Sequence, residues 1–157
     1  METPQDTALQ ISALNDLIRI NNDRIKGYKK RMDISLDEDL DFLFLEFVYQ
    51  SRQNNKELSE YIKLLGGKTA DGDSLPGKYY HAWTDFKFMF SQHQRQIILD
   101  YCEYGEDVVK SAYQKAISDK EINWNKKIAR VLTSHANEFK IAHKQITNLR
   151  DKCINAA

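Results

Sequence analysis

Glycine and proline are almost confined to one window of this sequence. The chain of 157 residues has six glycines and two prolines, and four of those glycines and one proline lie within GGKTADGDSLPG at 66–77. Because these residue types interrupt helices and mark turns, the chain on either side of the window is free to form long helices. No segment shows the alternation of apolar and polar residues that is typical of a strand. The sequence therefore predicts an all-α fold with one long loop.

Helix starts are indicated by four capping boxes, in which a Ser or Thr and an acidic or amide residue three positions later satisfy free backbone donors. The four pairs are Thr3 with Asp6, Ser35 with Glu38, Ser91 with Gln94, and Ser118 with Glu121. They predict a single four-helix-bundle domain over 1–157. Its predicted helices lie at about 4–32, 36–65, 92–117 and 119–153, with a connector at 66–91.

The length of this connector leaves two topologies open. Short turns make the first two helices one antiparallel hairpin and the last two another. A helix of 30 residues is about 45 Å long, and the connector has enough residues to cover that span. We favour a chain that crosses the bundle between the second and third helices, as in ferritin-like folds. The alternative is an up-down-up-down bundle in which the connector covers one end.

The connector also holds the most aromatic stretch of the chain, KYYHAWTDFKFMF at 78–90, for which we predict a short helix. Four rings share one face of that helix: Tyr79, Trp83, Phe86 and Phe90. The second helix has a second apolar stripe formed by Phe42, Leu45 and Tyr49. We favour packing of the aromatic helix on this stripe, and the alternative is a homodimer through one of the two surfaces.

Helical periodicity places several polar side chains on otherwise apolar faces. Glu106 lies in an apolar series that runs from Leu99 to Tyr113, where a carboxylate needs a partner or a proton. His135 lies in the middle of the core face of the fourth helix, whereas Asp23 falls on the solvated side of the first. In the crossover topology the inward polar residues reach a similar depth. They predict one interior polar network: Asn21, Gln50, Asn54, Glu106 and His135.

Two interpretations of this cluster compete. A hydrogen-bonded network that fixes helix register is favoured. The alternative is a metal site, since imidazole and carboxylate groups suit zinc, iron and manganese, and iron or manganese is the expected ion. Its candidate ligands are Glu46, Glu106, His135, Glu138 and His143. A di-iron centre of the ferritin-like kind needs Glu-x-x-His on two helices, and the chain contains no such motif, only the reversed His135-x-x-Glu138.

Composition excludes several classes of protein. Lys plus Arg and Asp plus Glu number 23 each, with no basic block of the kind that binds nucleic acid or an anionic membrane. No apolar run approaches the roughly 20 residues of a membrane span, and METPQDTALQ does not resemble a secretory signal. Two cysteines are too few for a disulfide framework. We expect a cytoplasmic protein without nucleic-acid or membrane partners.

Four segments together resemble an uncharacterised bacterial family of ferritin-like four-helix-bundle proteins. They are LNDLIRINNDRIKGY at 14–28, the GG…GK…AW connector ending at Trp83, CEYGEDVVKSAYQKA at 102–116, and His143 followed by ITNLRD. The resemblance spans nearly the whole chain and implies a bacterial source and a domain of unknown function. Glu106 and Asp107 match the Gly-Glu-Asp motif of the family, and no catalytic role transfers with them or with His143. Ferritin-like relatives more broadly oxidise or store iron.

These features lead to two hypotheses about function. The favoured one is a soluble bacterial ferritin-like bundle that acts as a small binding or structural protein, with a role under stress and without di-iron catalysis. The alternative is an iron- or manganese-dependent oxidoreductase or iron-handling protein. It would use Glu106, His135 and Glu138 together with edge carboxylates such as Glu46.

Overall fold

The computed structural model describes residues 2–34, 37–70 and 94–156. In this part of the chain the only regular elements are four α-helices. They are α1 (Pro4–Ile34), α2 (Glu38–Leu64), α3 (Gln94–Ser118) and α4 (Lys126–Ala156). The predicted all-α class and the four helices are thus confirmed. The predicted aromatic helix, and the capping residues Ser35 and Ser91, lie outside the described residues.

The predicted capping box at the start of α1 is confirmed. The Thr3 hydroxyl accepts a hydrogen bond from the backbone N–H of Asp6 at 3.1 Å, and the Asp6 carboxylate accepts one from the Thr3 N–H at 3.0 Å. The Asp6 carboxylate accepts hydrogen bonds from both the backbone N–H and the hydroxyl of Thr3, and these two bonds hold the pKa of Asp6 below its ordinary value because they favour the ionised carboxylate. The first turn of α1 is therefore capped by hydrogen bonds between the two residues that the sequence motif identifies.

The predicted start of the fourth helix at 119 is wrong. Ser118 does not cap a following helix, because its hydroxyl donates back to the Lys115 carbonyl at the end of α3. The Asp119 carboxylate instead accepts a hydrogen bond from the Glu121 backbone N–H at 2.9 Å. Short polar side chains of this kind stabilise turns in competition with helices. Residues 119–125 therefore form a turn between α3 and α4.

Asn125 takes the capping role at the true start of α4. Its side-chain oxygen accepts a hydrogen bond from the Lys127 backbone N–H at 2.9 Å. A fourth helix that began at 119 would carry Trp124 on its core face, but in the structure Trp124 lies in the turn before α4. Its indole N–H donates to the Ala116 carbonyl at 2.9 Å, so the ring closes the α3–α4 hairpin.

The turn after α2 depends on glycine. Gly66 adopts a left-handed conformation with φ of 81°. The Gly66 N–H bonds to the Lys63 carbonyl, and the Gly67 N–H bonds to the Ile62 carbonyl. This is the Schellman pattern, which satisfies the last carbonyls of a helix and favours glycine at the left-handed position. The glycine-rich window thus begins where the sequence predicts that the second helix ends.

Cross-helix hydrogen bonds show that sequential helices run antiparallel. In the first hairpin, the Asn55 amide donates to Asn22 near mid-helix, and the Asn15 amide donates to the Lys68 carbonyl beyond the end of α2. In the second hairpin, Tyr113 contacts His135. Farther from the turn, Arg150 pairs with Glu103 in the same antiparallel register.

The two hairpins associate so that α2 and α3 run parallel. Arg24 of α1 contacts Glu106, whereas the earlier residue Asn21 contacts the later residue Tyr113, so α1 and α3 are antiparallel. At the start of α3, Arg95 bonds to Asp37 at 3.1 Å and to Asp39 at 2.7 Å, beside the start of α2. Helix α2 therefore ends, and α3 begins, at opposite ends of the bundle. This is the set of helix directions that the crossover topology requires.

The core lies between the four helices, with α1 and α4 on one diagonal and α2 and α3 on the other. On α2 the core includes Phe44, Val48 and Ile62, whereas Tyr61, which helical periodicity predicts to face the core, is only partly buried. Fully buried apolar side chains come from every helix: Leu14, Tyr28, Leu40, Phe44, Leu58, Ile62, Leu99, Val109, Leu132, Phe139 and Ile146. Within the described chain, no helix is both long enough and apolar enough to span a membrane.

The second apolar stripe of α2 faces outward. Phe42, Leu45 and Tyr49 are 71%, 53% and 65% exposed, respectively. The aromatic residues predicted to cover this stripe, Tyr79, Trp83, Phe86 and Phe90, lie outside the described residues. Packing between the two surfaces therefore stays a prediction.

Candidate functional site: a buried polar network

The centre of the bundle contains an ion pair between Arg24 of α1 and Glu106 of α3. Both side chains have zero solvent exposure. The Arg24 Nε lies 3.0 Å from Glu106 Oε2 and the Arg24 Nη2 lies 2.5 Å from Glu106 Oε1. Two parallel N–H donors thus meet the two carboxylate oxygens, which is the strongest geometry for this kind of pair. Arg24 is the partner that a carboxylate on this apolar face requires.

The third nitrogen of the Arg24 guanidinium group, Nη1, donates hydrogen bonds to residues of α2. This nitrogen lies 2.8 Å from the Gln50 side-chain oxygen, 2.9 Å from the Ser51 hydroxyl and 3.1 Å from the Phe47 carbonyl. The rings of Phe47 and of Phe139 on α4 lie 4.9 and 4.7 Å from the guanidinium carbon. Cation–π contacts of this kind add to the hydrogen bonds when the cation is desolvated. One guanidinium therefore contacts all four helices.

Arg24 stays charged in this environment. Burial by itself lowers its pKa, but the opposing charge of Glu106 and the hydrogen bonds between the two groups raise the pKa overall. An isolated charge in a protein interior is very costly, and a bidentate partner offsets that cost. The pair is therefore a fixed ionic element of the core.

A second chain of hydrogen bonds runs from the interior to the surface. The Asn21 amide donates to the Tyr113 hydroxyl at 2.8 Å, and that hydroxyl lies 3.0 Å from His135 Nδ1. His135 Nε2 lies 3.3 Å from a carboxylate oxygen of Glu57, a side chain that is 50% exposed. The Asn54 amide completes the chain with a long contact of 3.5 Å to Asn21. The network thus ends at solvent beside Glu57.

The hydrogen-bond pattern assigns the protonation state of His135. Because the Tyr113 oxygen accepts from Asn21, we assign its proton to the bond with His135 Nδ1. The ring proton of His135 then lies on Nε2 and faces Glu57. Burial lowers the pKa of His135, and its bond to Glu57 opposes that shift. His135 is therefore a neutral donor and acceptor within the chain.

Comparison with known proteins places this network within a family. Residues 10–119 match a family model described as a domain of unknown function, DUF2383. The chain belongs to the DUF2383 family. This confirms the predicted membership of a family with no assigned activity. No curated protein sequence matches the chain.

The matched region of this DUF2383 protein extends through α3 and stops before α4. It contains both partners of the central ion pair, Arg24 and Glu106, as well as Tyr113. His135 and Phe139, which contact these residues from α4, lie beyond it. The matched region therefore supplies most of the residues of the interior network, and α4, which lies outside that region, supplies His135 and Phe139.

The structure places the predicted site residues of the DUF2383 chain in different environments. Asn21, Asn54, Glu106 and His135 are buried and Gln50 is partly buried, and all five belong to the two connected sets of contacts described above. The proposed metal ligands do not converge. Glu46 is exposed on α2, Glu106 is bound by Arg24, and His135 is held by Tyr113 and Glu57. Glu138 is half-buried on α4, and His143 lies beside Asp107 at the α3–α4 seam.

Two residues of α1, Arg24 and Arg31, have burial that the sequence pattern missed. Asn21, Arg24, Tyr28 and Arg31 follow a three- and four-residue spacing, so they share one helical face. All four have zero exposure, whereas helical periodicity predicts that only Asn21 and Tyr28 of these four face the core. The three- and four-residue spacing indicates that the four residues share one face. The positive charges of Arg24 and Arg31 instead favour solvent exposure, so the sequence pattern does not predict their burial. Asp23 is also fully buried, so its assignment to the solvated side is wrong.

Cys102 is a thiol of the hydrophobic core. It has zero exposure and lies on α3 beside the buried Arg31. Burial raises the pKa of Cys102 to about 12, although the nearby charge of Arg31 acts in the opposite direction. A thiol with so high a pKa is protonated at neutral pH and is a poor nucleophile. The buried thiol therefore serves packing.

The lowered pKa of His135 predicts a pH dependence of stability. The unfolded chain binds a proton near the ordinary pKa of 6.5, whereas the folded state resists protonation of this ring. The contribution of neutral His135 is therefore complete above that pH and is lost as the pH falls from about 6.5 towards the lower pKa of the folded state. We expect the free energy of unfolding to decrease between pH 7 and pH 5.5, and we expect a His135→Gln variant to show a flatter slope.

Urea unfolding measured at several pH values tests this dependence. Asn137→Gln is the control, because Asn137 is an exposed residue of the same helix and has no titratable group. The control should keep the wild-type slope. A His135→Gln variant that also keeps the wild-type slope would contradict the assignment.

Proposed function

We propose that this DUF2383 protein is a ferritin-like four-helix bundle of the bacterial cytoplasm that acts as a binding or structural protein under stress. In this proposal the interior serves stability and helix register instead of di-iron catalysis. The observation that carries the proposal is the Arg24 guanidinium, which binds Glu106 at the centre of the bundle. The positive charge of Arg24 neutralises Glu106, the carboxylate that a metal ion in the interior would need as a ligand.

The donor set of the interior supports this reading. Di-iron bundles hold their metals with a Glu from each of two helices and Glu-x-x-His from each of the other two. Here Glu106 accepts hydrogen bonds through both oxygens, and both nitrogens of His135 have partners in Tyr113 and Glu57. A metal ion beside Arg24 would also meet the repulsion of a buried positive charge. The residues present therefore do not fit a di-iron group.

The helix directions support the ferritin-like part of the proposal. Bundles of that class have one long connection between the second and third helices, which lets these two helices run parallel. The contact of Arg95 with Asp37 and Asp39 places the starts of α3 and α2 at the same end of the bundle. The short antiparallel hairpins α1–α2 and α3–α4 are the other two features of that topology.

Metal loading of the interior tests the proposal. Protein without an affinity tag is stripped with chelator, incubated with Fe²⁺ or Mn²⁺ under argon, dialysed and analysed for bound metal. Wild type, Glu106→Gln and His135→Leu should contain equal amounts, because none of these residues binds metal. Stoichiometric iron or manganese that is lost in either variant would favour the alternative, an iron- or manganese-dependent oxidoreductase. His135→Leu keeps the test valid if Glu106→Gln does not fold.

The alternative occupant of the exposed apolar stripe Phe42, Leu45 and Tyr49 is a second copy of the chain, which would bind there in place of the aromatic helix. A net charge of zero leaves no overall repulsion between two copies. With that occupant, sedimentation velocity should show a dimer that Leu45→Glu converts to a monomer. Leu64→Glu is the control, since Leu64 is equally apolar and is 80% exposed at the far end of α2. A wild-type chain that is monomeric at all concentrations would overturn this surface.

A further inference from the structure

A separate group of potential ligands lies on the seam between α3 and α4. Glu103, Asp107 and His143 each offer one ligand atom, and these three atoms lie within 4.8 Å of one another. Glu103 and Asp107 are four residues apart and so occupy one face of α3. His143 meets them from the antiparallel helix α4. The cluster therefore combines two carboxylates and one imidazole on two rigid elements.

The imidazole of His143 is directed at these carboxylates. Its Nε2 atom is buried, lies 3.1 Å from Asp107 Oδ1, and makes no hydrogen bond among the described residues. Buried polar atoms normally have such a partner, so an unsatisfied ring nitrogen next to two carboxylates calls for an explanation. The side chain as a whole is 22% exposed, which gives an ion access from solvent.

We propose that Glu103, Asp107 and His143 form a binding site for a divalent transition-metal ion of the zinc type. One nitrogen and two oxygen ligands with water in the remaining position suit Zn²⁺, whereas Mg²⁺ and Ca²⁺ prefer oxygen ligands alone. Ligand distances to zinc are about 2.0–2.2 Å, so small side-chain rotations would bring the three atoms onto one ion. No residue of the Arg24–Glu106 pair takes part, and the proposal is independent of the function proposed above.

Two basic side chains neutralise the cluster when no metal is bound. Arg150 hydrogen-bonds to Glu103, and the Lys110 Nζ lies 3.4 Å from Asp107 Oδ1. Arg150 also lies 3.2 Å from Asp151, so it keeps an acidic partner if a metal ion displaces it from Glu103. Lys110 is 24% exposed and its partner Asp107 is 49% exposed, so solvent screens this ion pair and it contributes little. Metal binding thus exchanges the contacts of Arg150 with Glu103 and of Lys110 with Asp107 for coordination that links α3 to α4.

Zinc titration of tag-free, chelator-treated protein tests the site. Calorimetry should show one Zn²⁺ per chain, and saturating Zn²⁺ should raise the melting temperature, because a ligand that binds only the folded state stabilises it. His143→Ala and Asp107→Asn should each weaken binding at least about tenfold, in keeping with the loss of one ligand out of three. Mg²⁺ should not compete at equal concentration.

Two controls separate this site from the rest of the molecule. Asp100→Asn removes another partially exposed carboxylate of α3, close to Arg150 and outside the cluster, and should bind zinc like the wild type. His135→Leu removes the buried histidine and should also leave zinc binding unchanged, so failure of this site is distinguishable from failure of the interior proposal. Absence of saturable zinc binding, or binding that is unchanged in His143→Ala, would overturn the inference.

Discussion

Glu106→Gln should lower the free energy of unfolding by about 3–5 kcal/mol, the usual cost of removing one partner from a buried ion pair. Glutamine has nearly the same shape as glutamate, so the core stays filled and only the charge is lost. The guanidinium of Arg24 then stays in an interior position with zero exposure and without its bidentate counter-charge. Urea unfolding followed by far-ultraviolet circular dichroism at pH 7 measures the difference.

Two further variants test whether the loss of stability in Glu106→Gln comes from an unpaired buried charge. Asp16→Asn breaks an exposed pair in which Arg19 and Asp16 are 37% and 67% exposed, and it should cost less than about 1 kcal/mol. Replacing Arg24 and Glu106 together by methionine should recover much of the lost stability, because no orphaned charge remains. Recovery should be incomplete, since Gln50 and Ser51 lose their donor. A Glu106→Gln variant as stable as Asp16→Asn would contradict the buried ion pair.

Tyr113→Phe should lower the free energy of unfolding by about 1–3 kcal/mol, the range for leaving a buried polar group without its partner. The ring of residue 113 keeps its place against Phe139, whose centroid lies 5.0 Å away, so the change is confined to the hydroxyl. The Asn21 amide retains its bond to the Leu17 carbonyl at 3.0 Å. His135 Nδ1 loses its donor, and this accounts for most of the expected cost.

The same variant has a second readout. The Tyr113 hydroxyl stabilises the neutral form of His135, so its removal should raise the pKa of His135 towards the ordinary value. An NMR titration of the histidine ring measures this shift directly. Tyr104→Phe is the matched control, because Tyr104 is 59% exposed on the same helix. If both variants leave stability and the His135 titration unchanged, the hydrogen-bonded chain is not formed in solution.

These two sets of contacts explain why a bundle retains polar groups in its interior. Arg24 reaches Glu106 on α3 and Gln50 on α2 at the same time, and Tyr113 reaches Asn21 and His135. Apolar side chains tolerate small shifts of one helix along another, whereas hydrogen bonds lose strength over a fraction of an ångström. The network therefore selects one register among several that would bury similar apolar area. Single buried polar residues fix register in coiled coils in the same way.

Local sequence signals were reliable where the chemistry is local. The Thr3 box closes α1 as predicted, and the glycines at 66 and 67 end α2. The signal at Ser118 failed because two competing polar groups, Asp119 and Asn125, lie within the next turn and form their own bonds. A capping motif indicates only that a helix can begin at that position. Which of several neighbouring motifs is used depends on how far the hairpin must turn before α4 packs on α3.

The sequence by itself determined that this protein is helical, and that Glu106 lies on an apolar face where a carboxylate cannot stay alone. Both conclusions follow from periodicity and from the cost of a buried charge. Only the tertiary structure decided that the partner is Arg24. An arginine has a long side chain that either extends its charge to solvent or folds its stem into the core, and the same helical position permits both. The side chain of Arg24 lies inside the bundle because α1 and α3 pack at a depth that places the Glu106 carboxylate within reach of its guanidinium group.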